Sequence, residues 1–239
     1  MTIHAPEGRT PESGGSLVEQ AVQAVRGHIR SNDLKVGDTL PGEGQFAADL
    51  GVSRAVMREA FGALAALRLI DVGNGRRPRV GAIDGSVIGT SLDHAVATSQ
   101  ISVAEVWDVR RTVEVRIAAL AAEKRSDLQA EQILALAESM ARADGDMERI
   151  TAFDTAFHQI IAAASGNFLF MQIVRSFEPQ MEFAVPRAWE TRRTEEEKVS
   201  ILDLHRRIAK AIADRDPEAA SAAMTAHFDA SIGDLLLNG

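Results

Sequence analysis

Four side chains in the second half of the chain have the types and spacing for divalent-metal chemistry. In AFDTAFHQIIAA, Asp154 and His158 stand four residues apart, so on a helix both project from one side, about one turn from each other. His205 falls in ILDLHRRIAKAI, where Leu202, Ile208, Ala209 and Ile212 form the apolar stripe. His227 falls in AAMTAHFDASI among Ala223, Met224, Phe228 and Ile232. Three helices would thus turn one carboxylate and three imidazoles toward a common interior. Left unpaired in a helical core, such groups are costly. A divalent ion satisfies all of them, and an N/O donor set suits Zn, Ni, Co, Mn or Fe, with zinc the ion expected in a preparation. An ion with fewer than six protein ligands keeps room for a bound anion. The competing account is three unrelated core or surface histidines.

The helix expected opposite reads ISVAEVWDVRRTVEVRIAAL, with Val106, Val109, Val113 and Ile117 as its apolar stripe. Arg110 borders that stripe. Pointing inward, its guanidinium fork would clamp a carboxylate; pointing outward, it would pair with Glu114 one turn on. Trp189, shortly after Pro186, could pack over a ligand or cap the core. Asn167 follows Gly166 and is most simply the N-cap of the next helix, and it joins the effector-site candidates on position alone.

A second stretch, Leu40 to Arg79, has the pattern of a DNA reader. Gly42 to Leu50 is a short helix candidate with Phe46, Ala47 and Leu50 at helical spacing. Gly51 breaks it, and Ser53 is a good N-cap for the following helix, Arg54 to Arg68. That helix would bury Met57, Ala60, Phe61, Leu64 and Leu67, while Arg54 and Arg58 project together from its first turns. A helix, a glycine turn and a second helix with cations at its start match a helix-turn-helix. A β-hairpin should follow: Leu69 to Val72, a tight turn at Gly73-Asn74-Gly75, then Arg76 to Val80. Arg76, Arg77 and Arg79 crowd its tip and return arm. This makes a wing able to lie along a phosphate backbone or in a minor groove.

These sites require elements to hold them, and the chain supplies two kinds. Gly and Pro punctuate the first eighty or so residues, whereas Ala, Leu, Ile and Glu dominate the rest. Residues 1–15 form a disordered arm by composition. Residues 16–81 form the winged helix-turn-helix domain, opened by an amphipathic helix over 16–31 with Val18, Ala21, Val22, Val25 and Ile29 inward. Residues 82–100 are a small-residue linker with room for one short helix, and 101–237 form an all-α bundle for effector binding and dimerisation. In that bundle the periodicity predicts helices near 102–124, 127–142, 146–165, 168–185, 193–214 and 216–236, joined by short loops. The fold class is therefore mostly α.

The net charge of −8 divides unevenly: residues 1–81 hold 10 Lys and Arg against 9 Asp and Glu, which leaves −9 for 82–239. DNA affinity would rest on placed arginines and on dimerisation more than on bulk charge. Cys is absent, which excludes disulfides, thiolate catalysis and thiolate metal sites. With no long apolar run and no signal-peptide pattern, the expected setting is soluble and cytoplasmic, without a membrane partner.

Together the two halves resemble GntR-family transcription regulators of the FadR-type subfamily, with the helical FCD domain. The resemblance runs from Ser16 to about Leu237. It rests on LPGEGQFAADLGVSRAVMREAFGALAALRLI and GNGRRPRV in the reader, and on EVWDVRRTVEVRIAALAA, FDTAFHQIIAAASGN, LHRRIAKAI and MTAHF in the bundle. It implies a homodimer that binds a near-palindromic operator in double-stranded DNA and is released by a small carboxylate metabolite at a metal-containing pocket. By position, Asp154, His158, His205 and His227 match the metal ligands, and Arg110 matches the arginine that meets the effector. Arg54 and Arg58 match recognition-helix contacts, and Gly75 the wing-tip glycine. The family commonly has Ser-Glu-Arg after Leu-Pro, and here the run is Gly42-Glu43-Gly44, so a DNA-reaching arginine is missing. The Trp189 region and VWDVRRTVE look most like members that respond to sugar acids.

Two other functions would use the same residues. In a metal-responsive regulator the ion itself would be the signal. A metallohydrolase with an appended reader would need a metal-bound water and a general base; no HExxH occurs, and no spare carboxylate is placed as a base.

Overall fold

The computed structural model describes residues 15–73, 75–143 and 145–235. Apart from Gly15, the arm expected over 1–15 lies outside the described residues, as does Asn74 of the hairpin turn. The chain divides into two compact units between Ile83 and Asp84.

The first unit is a winged helix. Helix α1 (Leu17–Ser31) starts at a capping box: Ser16 Oγ accepts from the Glu19 amide, and the Glu19 carboxylate accepts from the Ser16 amide at 2.8 Å. Helix α2 (Glu43–Leu50) stops at Gly51, whose φ of 67° is the left-handed conformation that glycine adopts without strain. Helix α3 (Arg54–Ala66) is capped by Ser53, whose Oγ accepts from the Val56 amide at 3.2 Å. Ala21, Val25, Leu40, Phe46, Met57, Phe61, Leu64 and Ile70 close the core, with Phe46 and Phe61 edge to face at 5.9 Å. Two residues expected in this core are outside it. Leu67 is the C-cap of α3 and Leu50 ends α2, and both are exposed, because each sits where its helix turns away from the stripe.

The wing pairs β1 (Ile70–Asp71) antiparallel with β2 (Arg79–Val80), in register Ile70 to Val80 and Asp71 to Arg79. Residues 72–78 connect them, so the link is longer than the tight Asn-Gly turn expected from sequence. The reason lies on the other edge of β2. The Leu40 amide donates to the Pro78 carbonyl at 2.8 Å and the Val80 amide to the Asp38 carbonyl at 2.9 Å, which pins the return arm late and leaves a longer tip. Arg79 is tied into this root, donating to the Gly37 carbonyl at 2.7 Å.

The second unit is a bundle of helices α4 (Gly85–Ala97), α5 (Val103–Lys124), α6 (Asp127–Ala141), α7 (Met147–Ala164), α8 (Phe168–Ser176), α9 (Glu178–Thr191), α10 (Glu195–Ala213) and α11 (Pro217–Leu235). Helix α5 packs along α11 and α7, and α10 lies between α11 and α6. Alanines 118, 121, 122, 162 and 209 are fully buried, and their small size lets the helices approach closely around Phe157, Ile161, Ile208 and Phe228.

Three sequence expectations change here. The segment read as a linker over 82–100 carries a 13-residue helix, α4, that packs on α8 and α9. Gly85 makes this docking possible: a Cβ there would stand 2.5 Å from the Gln172 carbonyl oxygen. The helix expected over 168–185 is two helices parted at Phe177, where Pro179 opens a new first turn because it cannot donate to the preceding one. The second of these runs through Pro186 to Thr191, beyond the end near residue 185 that the periodicity predicts. On α5, Val109 is exposed and Trp107 is buried, which rotates the inward face onto Val106, Trp107, Arg110, Glu114 and Ile117.

Candidate metal and effector centre

Asp154 and His158 leave α7 one turn apart, His205 leaves the middle of α10, and His227 leaves α11. All are buried. One donor atom from each lies within 4.8 Å of the others. The ring centroids of His205 and His227 are 4.4 Å apart, and those of His158 and His227 are 5.2 Å apart.

Hydrogen bonding shows how each group is aimed. His205 donates from Nδ1 to the Ile201 carbonyl at 2.9 Å, and its Nε2 faces Asp154 Oδ1 at 3.1 Å. A neutral ring bonded this way has a lone pair on Nε2, and two acceptors face to face in a dry site need a cation between them. A second ring proton or a metal ion would serve. His158 donates from Nδ1 to the carboxylate of Glu114, so its Nε2 is directed to the cluster. That Nε2 and Nδ1 of His227 are buried without a hydrogen-bond partner, an unusual cost in a folded interior. Burial, reinforced by the neighbouring His205 and His158, pushes the His227 ring well below the usual histidine range, so it is neutral, as a metal ligand must be. Burial alone would raise the Asp154 carboxyl, but the hydrogen bond with His205 and the adjacent imidazoles overcome it and hold Asp154 below the usual carboxylate range. Orphaned nitrogens, an anionic carboxylate and a neutral imidazole form a donor set that could hold a divalent ion.

Arg110 borders the cluster from α5. It is buried, not exposed, and its Nε donates to Glu114 Oε1 at 2.7 Å. The i+4 pairing with Glu114 and the inward orientation, read from sequence as alternatives, therefore occur together. The guanidinium carbon stands 4.9 Å from the Trp107 ring centre and 5.4 Å from that of Phe228, and Nη1 approaches the Met181 sulfur. Burial pushes the Glu114 carboxyl up, yet Arg110 and His158 more than offset it and hold the group below its ordinary value. Glu114 is the residue that sequence reasoning missed as part of the site. Its signal was present, four residues after Arg110 and three before Ile117 on the buried face.

Trp107, Arg110, Trp189, Arg192 and the four metal-ligand candidates line one cavity of about 30 Å3. This admits an ion and a water or two; pockets for organic ligands are typically about 300–1,000 Å3. Trp189 packs on the cavity, with the Arg192 guanidinium 5.9 Å from its ring centre. Asn167 is elsewhere: it is exposed at the N-terminus of α8, where its Oδ1 accepts from the Leu169 amide at 3.0 Å. It is a cap and does not line the cavity.

In the first unit, Ser53, Arg54 and Arg58 open α3, and Gly75, Arg76 and Arg77 lie in the wing connection. All six are exposed. Gly75 has φ of 72°, a conformation that glycine takes without strain. Arg58 Nε lies 3.9 Å from Glu43 of α2. A Cβ on Gly44 would stand 4.0 Å from both Nε and Nη2 of Arg54, so the Arg54 guanidinium extends over the place where a side chain is missing. Asn74 is outside the described residues.

Residues 105–230 match the FCD domain, and residues 17–80 match the bacterial regulatory proteins of the gntR family. The chain is 31% identical over 205 residues to the HTH-type transcriptional regulator LutR of Bacillus subtilis, covering 84% of this chain and 92% of that protein. It is 28% identical to the HTH-type transcriptional repressor NanR of Cronobacter sakazakii, covering 93% of this chain and 86% of that protein. Among solved structures, a Streptococcus agalactiae GntR protein aligns with a TM-score of 0.64 at 26% identity, covering 90% of this chain and 98% of that one.

Proposed function

This chain belongs to the gntR family of bacterial regulatory proteins and carries an FCD domain, so it is a transcriptional regulator, and from that premise we propose that it is a metal-assisted, acid-sensing repressor. It would act as a homodimer on a near-palindromic operator. The NanR relative is, by its name, a repressor. A small carboxylate, with a sugar acid the first class to test, would bind beside Arg110 and loosen the hold on DNA.

The observation that carries this reading is the buried cluster of Asp154, His158, His205 and His227 beside a buried arginine. The four would hold a divalent cation, zinc in a preparation or nickel, manganese, cobalt or iron, which would supply positive charge for an anionic ligand. The chain's own residues would do the rest. Arg110 offers guanidinium donors, with the guanidinium carbon resting against both the Trp107 and Phe228 rings. Trp107 Nε1 is buried without a partner and would gain one from a ligand oxygen. The cavity of about 30 Å3 is too small for a sugar acid, so entry would require α9, which carries Val185, Ala188 and Trp189, to shift outward. Movement of that helix is the means by which occupancy would reach the rest of the bundle. On the reader, Ser53, Arg54 and Arg58 would meet bases and backbone in the major groove. Gly75, Arg76 and Arg77, with Asn74, would follow the adjacent backbone or minor groove.

The small cavity also favours a second reading, in which the ion alone is the signal. One experiment separates them: operator binding by fluorescence anisotropy, with metal-loaded and chelated protein, against a panel of sugar acids, hydroxy acids and dicarboxylates. Release by one acid, only when metal is present, supports the acid-sensing reading. Release on adding metal with no acid supports the metal-sensing one. No effect of any acid at any metal occupancy overturns the first reading.

A further inference from the structure

We propose that Glu114 is the positioning residue that couples the metal site to Arg110, its two carboxylate oxygens divided between them. The inference rests on the metal reading above. Oε1 accepts from Arg110 Nε at 2.7 Å, and Oε2 accepts from His158 Nδ1. Glu114 is 1% exposed, so neither bond is readily exchanged for water. A single anion thus orients the ring that turns Nε2 to the cluster and restrains the guanidinium that lines the same cavity.

The consequences follow from the hydrogen bonds. Coordination through His158 Nε2 withdraws charge from the ring and strengthens the Nδ1–H bond to Glu114. Strengthening that bond draws the carboxylate toward His158 and loosens its hold on Arg110, freeing guanidinium donors for an incoming anion. The reverse also holds, since an anion that takes Arg110 leaves Glu114 wholly to His158 and makes it a better ligand. Reciprocity between the two occupancies is required by linkage. A buried Arg-Glu pair with only a structural role would behave differently, because breaking it from either side would harm the fold alike and leave the metal site no preference.

The test uses the full-length protein and metal alone. Zn2+ affinity is measured by competition with a chromophoric chelator, and the visible absorption of Co2+ reports the ligand field, for wild type, Glu114→Gln and Arg110→Gln. A glutamine at 114 cannot accept from both neighbours, so E114Q is expected to weaken Zn2+ binding about 10- to 100-fold and to alter the Co2+ spectrum. R110Q leaves Glu114 to His158 and is expected to bind Zn2+ at least as tightly as wild type. Should E114Q not fold by circular dichroism, Glu114→Asp, charged but one methylene short, is measured in its place with the same weakening expected. Equal affinity of the position-114 variant and wild type overturns the inference, and so does equal weakening by both substitutions. A wild-type protein that binds neither ion overturns the metal reading itself, a result distinguishable from the other two.

Discussion

At His205 one ring nitrogen is committed to a backbone carbonyl and the other faces a carboxylate, so its chemistry is set by what lies between Nε2 and Asp154. If that is a metal ion, removing a ligand should cost more than removing an outer partner. His205→Ala and Asp154→Ala are therefore expected to lose more than about 100-fold in Zn2+ affinity, measured by chelator competition. Arg110→Ala should retain the ion but lose the rise in melting temperature produced by an effector acid. In wild type that rise reflects about 2.7 kcal/mol at a hundredfold excess over Kd. An Arg110→Ala protein that still responds fully to the acid would remove Arg110 from the effector site. On the reader, Arg58 is exposed at the start of α3. Arg58→Ala should weaken operator binding; a phosphate contact would reduce the salt slope by about 1, and a base contact would relax specificity at one position. Unchanged affinity in the salt titration would place Arg58 off the DNA.

The elements show why some side chains were legible in advance and others were not. Ser53 reads as an N-cap because a β-region hydroxyl residue before a helical run satisfies an orphan amide, a purely local matter. The spacing of Asp154 and His158 on α7 is equally local. Helix α4 was less accessible: its small residues look like a linker, and only its packing on α8 explains them. Since a Cβ at Gly85 would meet the Gln172 carbonyl oxygen at 2.5 Å, Gly85→Ala should destabilise the second unit by about 1–3 kcal/mol despite alanine's better helix propensity. Thermal unfolding would test this, and a melting temperature equal to or above that of wild type would show that α4 is not held there. The division of 168–191 into α8 and α9 at Phe177 was masked because apolar periodicity continues on both sides of it.

At the scale of the whole molecule the chain joins a gntR-family DNA-binding domain to an FCD domain, each with its own core. No helix among the described residues is long and apolar enough to cross a membrane. Near-neutral charge over residues 1–81 gives the reader little bulk attraction for DNA, so two copies acting together should provide much of the affinity. Footprinting of the proposed dimer should reveal two half-sites whose centres are about 34–36 Å apart or a multiple of that; protection of a single half-site would argue against it. By linkage, an acid that weakens operator binding by some factor must itself bind more weakly, by the same factor, to the operator complex. Calorimetry with and without operator DNA checks that equality.

Period, caps and residue chemistry were enough to read two kinds of domain, the helix-turn-helix and three inward histidines with an aspartate, because each depends on neighbours within one or two helical turns. The length of the wing connection depended on residues 38–40 pairing with the far edge of β2. The role of Glu114 depended on α5 and α7 lying side by side, so that a residue paired locally with Arg110 also met His158 across the bundle. The inward turn of Arg110 and the small size of the cavity likewise arise from helices meeting. Hydrogen bonds and packing between segments distant in sequence have no local periodicity to announce them, and only the tertiary structure could decide them.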